Sequence, residues 1–222
     1  MLKIYIAGTE PLMEDRLFYR ALSGVRRERK EAVLRYRFRK DQAQSLAAEL
    51  LLEKALSGQG LSLKELAITQ GPYGKPLLAD LPQLCFNISH SQQRAVCGIS
   101  DGEIGVDVEK RARISVSDLS RYFTENERAY LGRWQGKEKE REFYRLWTLK
   151  ESFMKAVGKG FALPLHAFEI RMEPSPTVRQ SEDDQLYHFC EPDIGPDYCL
   201  SVCSIGEETP EVEQIDLRQA VK

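Results

Sequence analysis

Strict alternation of apolar and polar positions appears in a few places along the chain, and each reads as a strand. The clearest is residues 104–109, where Ile104, Val106 and Val108 alternate with Gly105, Asp107 and Glu109. Residues 1–7, 84–89 and 95–100 read as strands of the same kind, and 168–171, 186–189 and 198–203 as shorter ones. Asp101-Gly102 joins two of them with the chemistry of a tight turn, so residues 95–109 predict a β-hairpin. Elsewhere the apolar spacing is helical. Residues 12–22 predict one helix, and a second starts at Asp41 and stops at Gly58-Gln59-Gly60. Thr124 and Glu127 form a capping-box pattern that opens a helix running to Gly132. Residues 114–122 are weakly helical, and 138–157 predict the longest helix, ended by Gly158. From Glu207 onward the chain is polar and predicts a peripheral tail.

Helices followed by strands, twice over and without regular βαβ alternation, predict an α+β fold in two similar-sized halves, 1–103 and 104–222. Composition changes this little: 222 residues, 42% hydrophobic, 30% charged and a net charge of −2 suit an ordinary globular protein. That balance does not call for nucleic acid. Charge is uneven locally, since Arg26, Arg27, Arg29, Lys30, Arg35, Arg37, Arg39 and Lys40 crowd one segment. No apolar run approaches the roughly 20 residues of a membrane span. Five cysteines without regular spacing point to a reducing, cytoplasmic setting.

The candidate chemistry starts from the 104–109 strand. Side chains two apart share a face, so Asp107 and Glu109 point the same way. On the 138–157 helix, Trp147, Glu151 and Lys155 recur every four residues. If that helix crosses that strand, three carboxylates and one ammonium converge, a group able to hold a hard divalent cation against phosphate oxygens. Each pair taken alone is more often a solvated face. His90 between two serines forms no triad, and neither a Gly-x-Ser-x-Gly elbow nor a Walker A loop occurs. A phosphate contact is the better functional reading of His90. His188, Cys190, Cys199 and Cys203 match no standard zinc spacing.

Four stretches taken in order carry a resemblance. They are Tyr73-Gly74-Lys75-Pro76, Phe86-Asn87-Ile88-Ser89-His90-Ser91, Gly105-Val106-Asp107-Val108-Glu109 and Trp147-Thr148-Leu149-Lys150-Glu151-Ser152-Phe153-Met154-Lys155. Together they resemble the signature set of the 4′-phosphopantetheinyl transferases of the surfactin-synthetase-activating (Sfp) type. The resemblance implies a pseudo-twofold α+β fold whose halves clasp coenzyme A at their junction. It implies transfer of the 4′-phosphopantetheine arm to a serine of an acyl or peptidyl carrier protein, with release of 3′,5′-ADP. It further implies Mg²⁺ on Asp107, Glu109 and Glu151, with Glu151 also the base, Lys155 at the leaving group and Glu127 in support. Arg29, Lys30, Ser45, Lys75, Ser89, His90 and Lys155 are the implied phosphate contacts, and Tyr73, Gly74, Lys75 and Pro76 the adenine contacts.

This chain departs from the family near its start. Ala32 falls where a second basic residue belongs, for which Arg26 or Lys30 could substitute, and Gln44 with Ala47 or Ala48 replaces an Arg and a Gly. Carrier docking is expected within 111–123 and 158–189, where Arg113, Arg121 and Lys159 could meet an acidic helix. The length suits a pseudodimer acting as a monomer. Two rival readings stand beside it: a Mg²⁺-dependent hydrolase of nucleotide diphosphates using the same carboxylates, and a carrier-binding module that has lost transfer, motivated by the altered early segment.

Overall fold

The computed structural model of the protein describes residues 1–220. The first half supplies β1 (Leu2–Gly8), helices α1 (Asp15–Gly24), α2 (Arg27–Leu34) and α3 (Arg39–Ser57), the small hairpin β2 (Ile68–Gln70) and β3 (Pro76–Leu78), then β4 (Cys85–Ser91) and β5 (Arg94–Ser100). After Ser100 come β6 (Ile104–Lys110) and helices α4 (Val116–Ser120), α5 (Glu125–Gly132) and α6 (Gly136–Val157). The chain closes with β7 (Glu169–Arg171), β8 (Thr177–Arg179), β9 (His188–Cys190), β10 (Tyr198–Ser204), β11 (Glu211–Ile215) and α7 (Leu217–Ala220).

Two sheets stack between two long helices. The first has the order β11-β1-β5-β4 and the second β6-β10-β9. Period-two alternation decides what each face covers. On the first sheet Tyr5, Ala7, Cys97 and Ile99 face α3, packing with Leu46, Ala47, Leu51 and Ala55. Their neighbours Ile4, Ile6 and Val96 face the second sheet and meet Ile104, Val106, Val108, Leu200 and Val202. The far face of the second sheet, with Cys203, packs on Leu146, Leu149, Phe153 and Met154 of α6. The architecture is therefore α+β, a helix–sheet–sheet–helix sandwich.

Three local expectations change. Residues 95–109 do not form a hairpin: β5 lies between β1 and β4, so both its edges are filled, and the chain crosses at 101–103 to start the other sheet. The two strands meet face to face instead, where a Cβ on Gly98 would come within 2.7 Å of Ile104 Cδ1 and 2.8 Å of Val106 Cγ1. The tail is not merely peripheral, because β11 pairs in parallel with β1, returning to the first half's sheet. Lys3–Glu211 (3.0 Å) and Lys54–Glu213 (3.4 Å) ion pairs flank it. Helix α3 begins at Arg39, ahead of Asp41, with Phe38 as its N-cap.

What positions the site is the seam between the sheets. Edge strand β4 runs beside edge strand β6 without a backbone ladder. Asn87 Oδ1, Ser89 Oγ and Ser91 Oγ accept instead from the N–H groups of Val106 (2.9 Å), Val108 (3.2 Å) and Lys110 (3.1 Å). Side chains thus satisfy an edge that would otherwise expose bare donors. The spacing they impose opens a cleft along the seam.

Candidate active site

Gly105 brings the catalytic elements together. Helix α6 rides on β6 so closely that a Cβ there would sit 2.0 Å from Ser152 O and 2.4 Å from Ala156 N. Only glycine admits that approach. Asp107 and Glu109 continue the same face of β6, and Glu151 and Lys155, one turn apart on α6, lie over it. The ammonium of Lys155 donates to Asp107 Oδ1 (2.7 Å), Val106 O (3.1 Å) and Ser89 Oγ (3.1 Å). The Ser89 hydroxyl itself donates to Asp107 Oδ1 (3.1 Å), while that of Ser91 donates to Glu109 Oε2 (2.8 Å). The seam serines thus orient both strand carboxylates.

Asp107 and Glu151 each retain capacity for a further partner. Asp107 Oδ2 and Glu151 Oε1 are both buried without a hydrogen bond. Burial, then the charges of Asp107 and Glu109, raises the Glu151 carboxyl from 4.5 to about 7 against the opposing pull of Lys155. Burial also raises Glu109, offset in part by the Ser91 hydrogen bond. His90 is lowered, first by burial and then by Lys155.

These groups face a cavity of about 430 Å³ that spans the seam. Arg29, Tyr36, Ser45 and Ala48 form one wall, Ile88, Ser89 and His90 the floor, and Asp107, Glu109 and Lys155 the other wall. Of the residues expected from sequence, Arg29, Ser45, Ser89, His90, Asp107, Glu109 and Lys155 therefore meet at one place. Glu151 lies just behind them, 9% exposed. A second hollow beside α1 and α3, lined by Arg20, Val25, Arg26, Leu50 and Leu63, lies away from this chemistry.

The others stand elsewhere. Lys30, Tyr73, Gly74 and Pro76 are not cavity walls, and Tyr73 is exposed on its turn. Lys75 is not a wall either: its ammonium donates to Glu103 Oε2 (2.5 Å), Ile104 O (3.2 Å) and Ala156 O (2.9 Å), which uses all three of its protons. Glu127 is fully buried in the second half's core. Its Oε2 accepts from Thr124 N–H (2.9 Å) in the capping box, and its Oε1 from Ile170 N–H (2.8 Å) and the buried Lys150 ammonium (2.5 Å). That environment gives Glu127 a structural part, tying α5 to α6 and β7, and withdraws it from the reacting groups.

Sequence reasoning missed three wall residues and one support. Tyr36 carries no motif, although an aromatic inside a basic segment was a signal; Ile88 within the Phe86–Ser91 stretch and Ala48 at the noted departure were given no contact. Glu49, buried in the middle of α3, lies 3.2 Å from Arg29 Nε and 3.5 Å from Arg26 Nη2. Arg29 Nη2 also donates to Ser45 O (2.7 Å) and Ser45 Oγ (2.9 Å), so the guanidinium is held at the cavity edge. A carboxylate among the apolar positions of a helix, one turn from Ser45, was the legible sign.

Two family descriptions match the chain in succession. Residues 10–100 match the 4′-phosphopantetheinyl transferase N-terminal family, and 103–203 match the 4′-phosphopantetheinyl transferase superfamily. The 4′-phosphopantetheinyl transferase Sfp of Bacillus subtilis strain 168 is 31% identical over 95% of both chains. The transferase ffp of Bacillus subtilis is 33% identical with the same coverage. The transferase gsp of Aneurinibacillus migulanus is 35% identical over 82% of this chain and 77% of its own. With this coverage and the seam site in place, the chain belongs to the 4′-phosphopantetheinyl transferases.

Proposed function

We propose that the protein transfers the 4′-phosphopantetheine arm of coenzyme A to a serine of an acyl or peptidyl carrier protein, releasing 3′,5′-ADP. The observation that carries this reading is the seam cavity, where Arg29 on one wall faces Asp107, Glu109 and Lys155 on the other, with Asp107 Oδ2 buried and unpartnered. Such a cavity suits a diphosphate bound with a cation.

The donor set fits Mg²⁺. All candidate ligands are oxygens, and Asp107 Oδ2 and Glu151 Oε1 are buried without partners. Mg²⁺ takes one or two carboxylates and completes its shell with water and substrate phosphates. Asp107, Glu109 and Glu151 would hold it. Bound there, the ion supplies charge neutralisation on the diphosphate and polarises the phosphorus.

The chain's own residues do the rest. The carrier serine oxygen attacks the phosphorus attached to pantetheine, and the bond from that phosphorus to the ADP oxygen breaks. Glu151 accepts the serine proton. Lys155 stands beside Asp107 and neutralises charge on the departing ADP. Arg29, braced by Glu49 and Ser45, and His90 at the cavity floor bind the remaining phosphates.

For the carrier, the exposed Leu119, Tyr122, Phe161 and Leu186 fall within 111–123 and 158–189 and support docking there. Arg121 stacks over Tyr122, while Lys159 is paired with Glu182 at 2.5 Å. One chain supplies both cavity walls, which supports a working monomer. Five free cysteines support a cytoplasmic setting, and among the described residues no helix is long and apolar enough to cross a membrane. Incubation with coenzyme A, Mg²⁺ and an apo carrier tests the reading by intact mass. The carrier gains one phosphopantetheine; no gain with any of several carriers sinks the proposal.

A further inference from the structure

We propose that Lys75 is a positioning residue for the catalytic helix, its ammonium bolting the C-terminal end of α6 to the start of β6. The inference rests on the proposed reading of Glu151 and Lys155 but concerns a residue outside the cavity. Lys75 belongs to the first half, yet its three acceptors all lie beyond residue 100. They are a carboxylate on the crossing between the sheets (Glu103), the first carbonyl of β6 (Ile104) and the last-turn carbonyl of Ala156. Ala156 follows Lys155 directly.

Helix geometry explains why this contact matters. The last four carbonyls of an α-helix have no acceptor role within it, and the helix end carries partial negative charge. In α6, Met154 O is taken by the Gly158 N–H (3.1 Å), and Ala156 O is taken by Lys75 (2.9 Å). A buried cation therefore meets the charge it complements. The stem of Lys75 also packs on the helix cap: Gly158 has φ +79°, and a Cβ there would lie 3.1 Å from Lys75 Cδ. Below, Gly105 lets the helix backbone rest on β6. Gly105 thus sets the height of the helix end and Lys75 its lateral position. Between them Lys155 reaches Asp107 at 2.7 Å.

A lysine that contacted a coenzyme A phosphate here would need a place in the cavity wall. Lys75 has none: its side chain is 9% exposed and its acceptors on Glu103, Ile104 and Ala156 lie outside the cavity. The two roles give different kinetics. Loss of a phosphate contact raises KM for coenzyme A, whereas a shifted helix end lowers kcat, because small misplacements of reacting groups cost on the order of 10²-fold.

The test uses the full chain with Lys75→Met, which keeps the stem and removes the ammonium, and Glu103→Gln, at a half-exposed site that folds readily. Amide hydrogen exchange of residues 153–158 is followed without coenzyme A or carrier, alongside kcat and KM for coenzyme A. The bolt predicts faster exchange at 153–158 in both variants. It also predicts a kcat loss of about tenfold or more for Lys75→Met, a smaller loss for Glu103→Gln, and little change in KM. A tenfold rise in KM with kcat unchanged, or unaltered exchange at 153–158, overturns it. Should Lys75→Met not fold, Glu103→Gln carries the same readouts. Because exchange is read without turnover, failure of the transfer assay alone refutes the proposed function and leaves the bolt standing.

Discussion

Glu151→Gln should stabilise the protein at alkaline pH while destroying its chemistry. The carboxyl is 9% exposed, and its folded value of about 7 lies above the ordinary 4.5. Below about pH 4.5 the group is protonated in both folded and unfolded chains and costs nothing. As pH rises through 7, the unfolded chain ionises freely, but the folded chain does so only against burial and the charges of Asp107 and Glu109. A raised carboxylate therefore contributes stability that is present at low pH and lost on crossing its folded value. At about 1.4 kcal/mol for each unit of displacement, the wild type forfeits roughly 3–4 kcal/mol by pH 8. Glutamine cannot ionise and escapes that loss. For a chain of this size, that corresponds to a rise in Tm of about 7–14 °C for the variant at pH 8. The assay is thermal and urea unfolding of both proteins by circular dichroism from pH 5 to 8. The gap should widen from pH 5 to about 7 and then level off, and added Mg²⁺ should narrow it by stabilising the wild type. A variant no more stable than the wild type at pH 8, or a gap independent of pH, refutes the electrostatic account of this carboxylate.

Two further substitutions separate packing from chemistry. Gly105→Ala forces a methyl into the Ser152 carbonyl at 2.0 Å and should cost about 3 kcal/mol, read as a lower urea midpoint; unchanged stability would mean the helix does not rest on β6. Glu127→Gln leaves the Lys150 charge buried and should cost about 3–5 kcal/mol, with kcat per folded molecule unchanged. A collapse of kcat in well-folded Glu127→Gln protein would restore Glu127 to the reacting groups.

Much of the site was legible because its parts obey short-range rules. Asp107 and Glu109 share a face by strand periodicity, and Glu151 and Lys155 by helix periodicity. The motif order then placed Ser89 and His90 beside them. What was hidden depends on packing between distant segments. The seam between β4 and β6 has no hydrophobic signature, since its bonds run from backbone N–H groups to Asn87, Ser89 and Ser91. Strand β11 is an exposed edge whose Glu211, Glu213 and Gln214 show no apolar alternation, so its pairing with β1 left no pattern. The Asp101-Gly102 turn reads as a hairpin locally, and only the occupation of both β5 edges overrides it. Lys75 and Glu127 are charged residues in a recognisable family setting, yet burial has turned both into ties between elements. Sequence reports their charge, not which acceptors surround them.

The account's central claim is that this seam passes a phosphopantetheine to a carrier serine. The most direct measurement follows 3′,5′-ADP release and carrier mass in one reaction containing coenzyme A and Mg²⁺. The account predicts one equivalent of 3′,5′-ADP for each carrier serine modified, and none when the carrier serine is replaced by alanine. Release of 3′,5′-ADP without carrier, or a carrier that never gains mass, would contradict it.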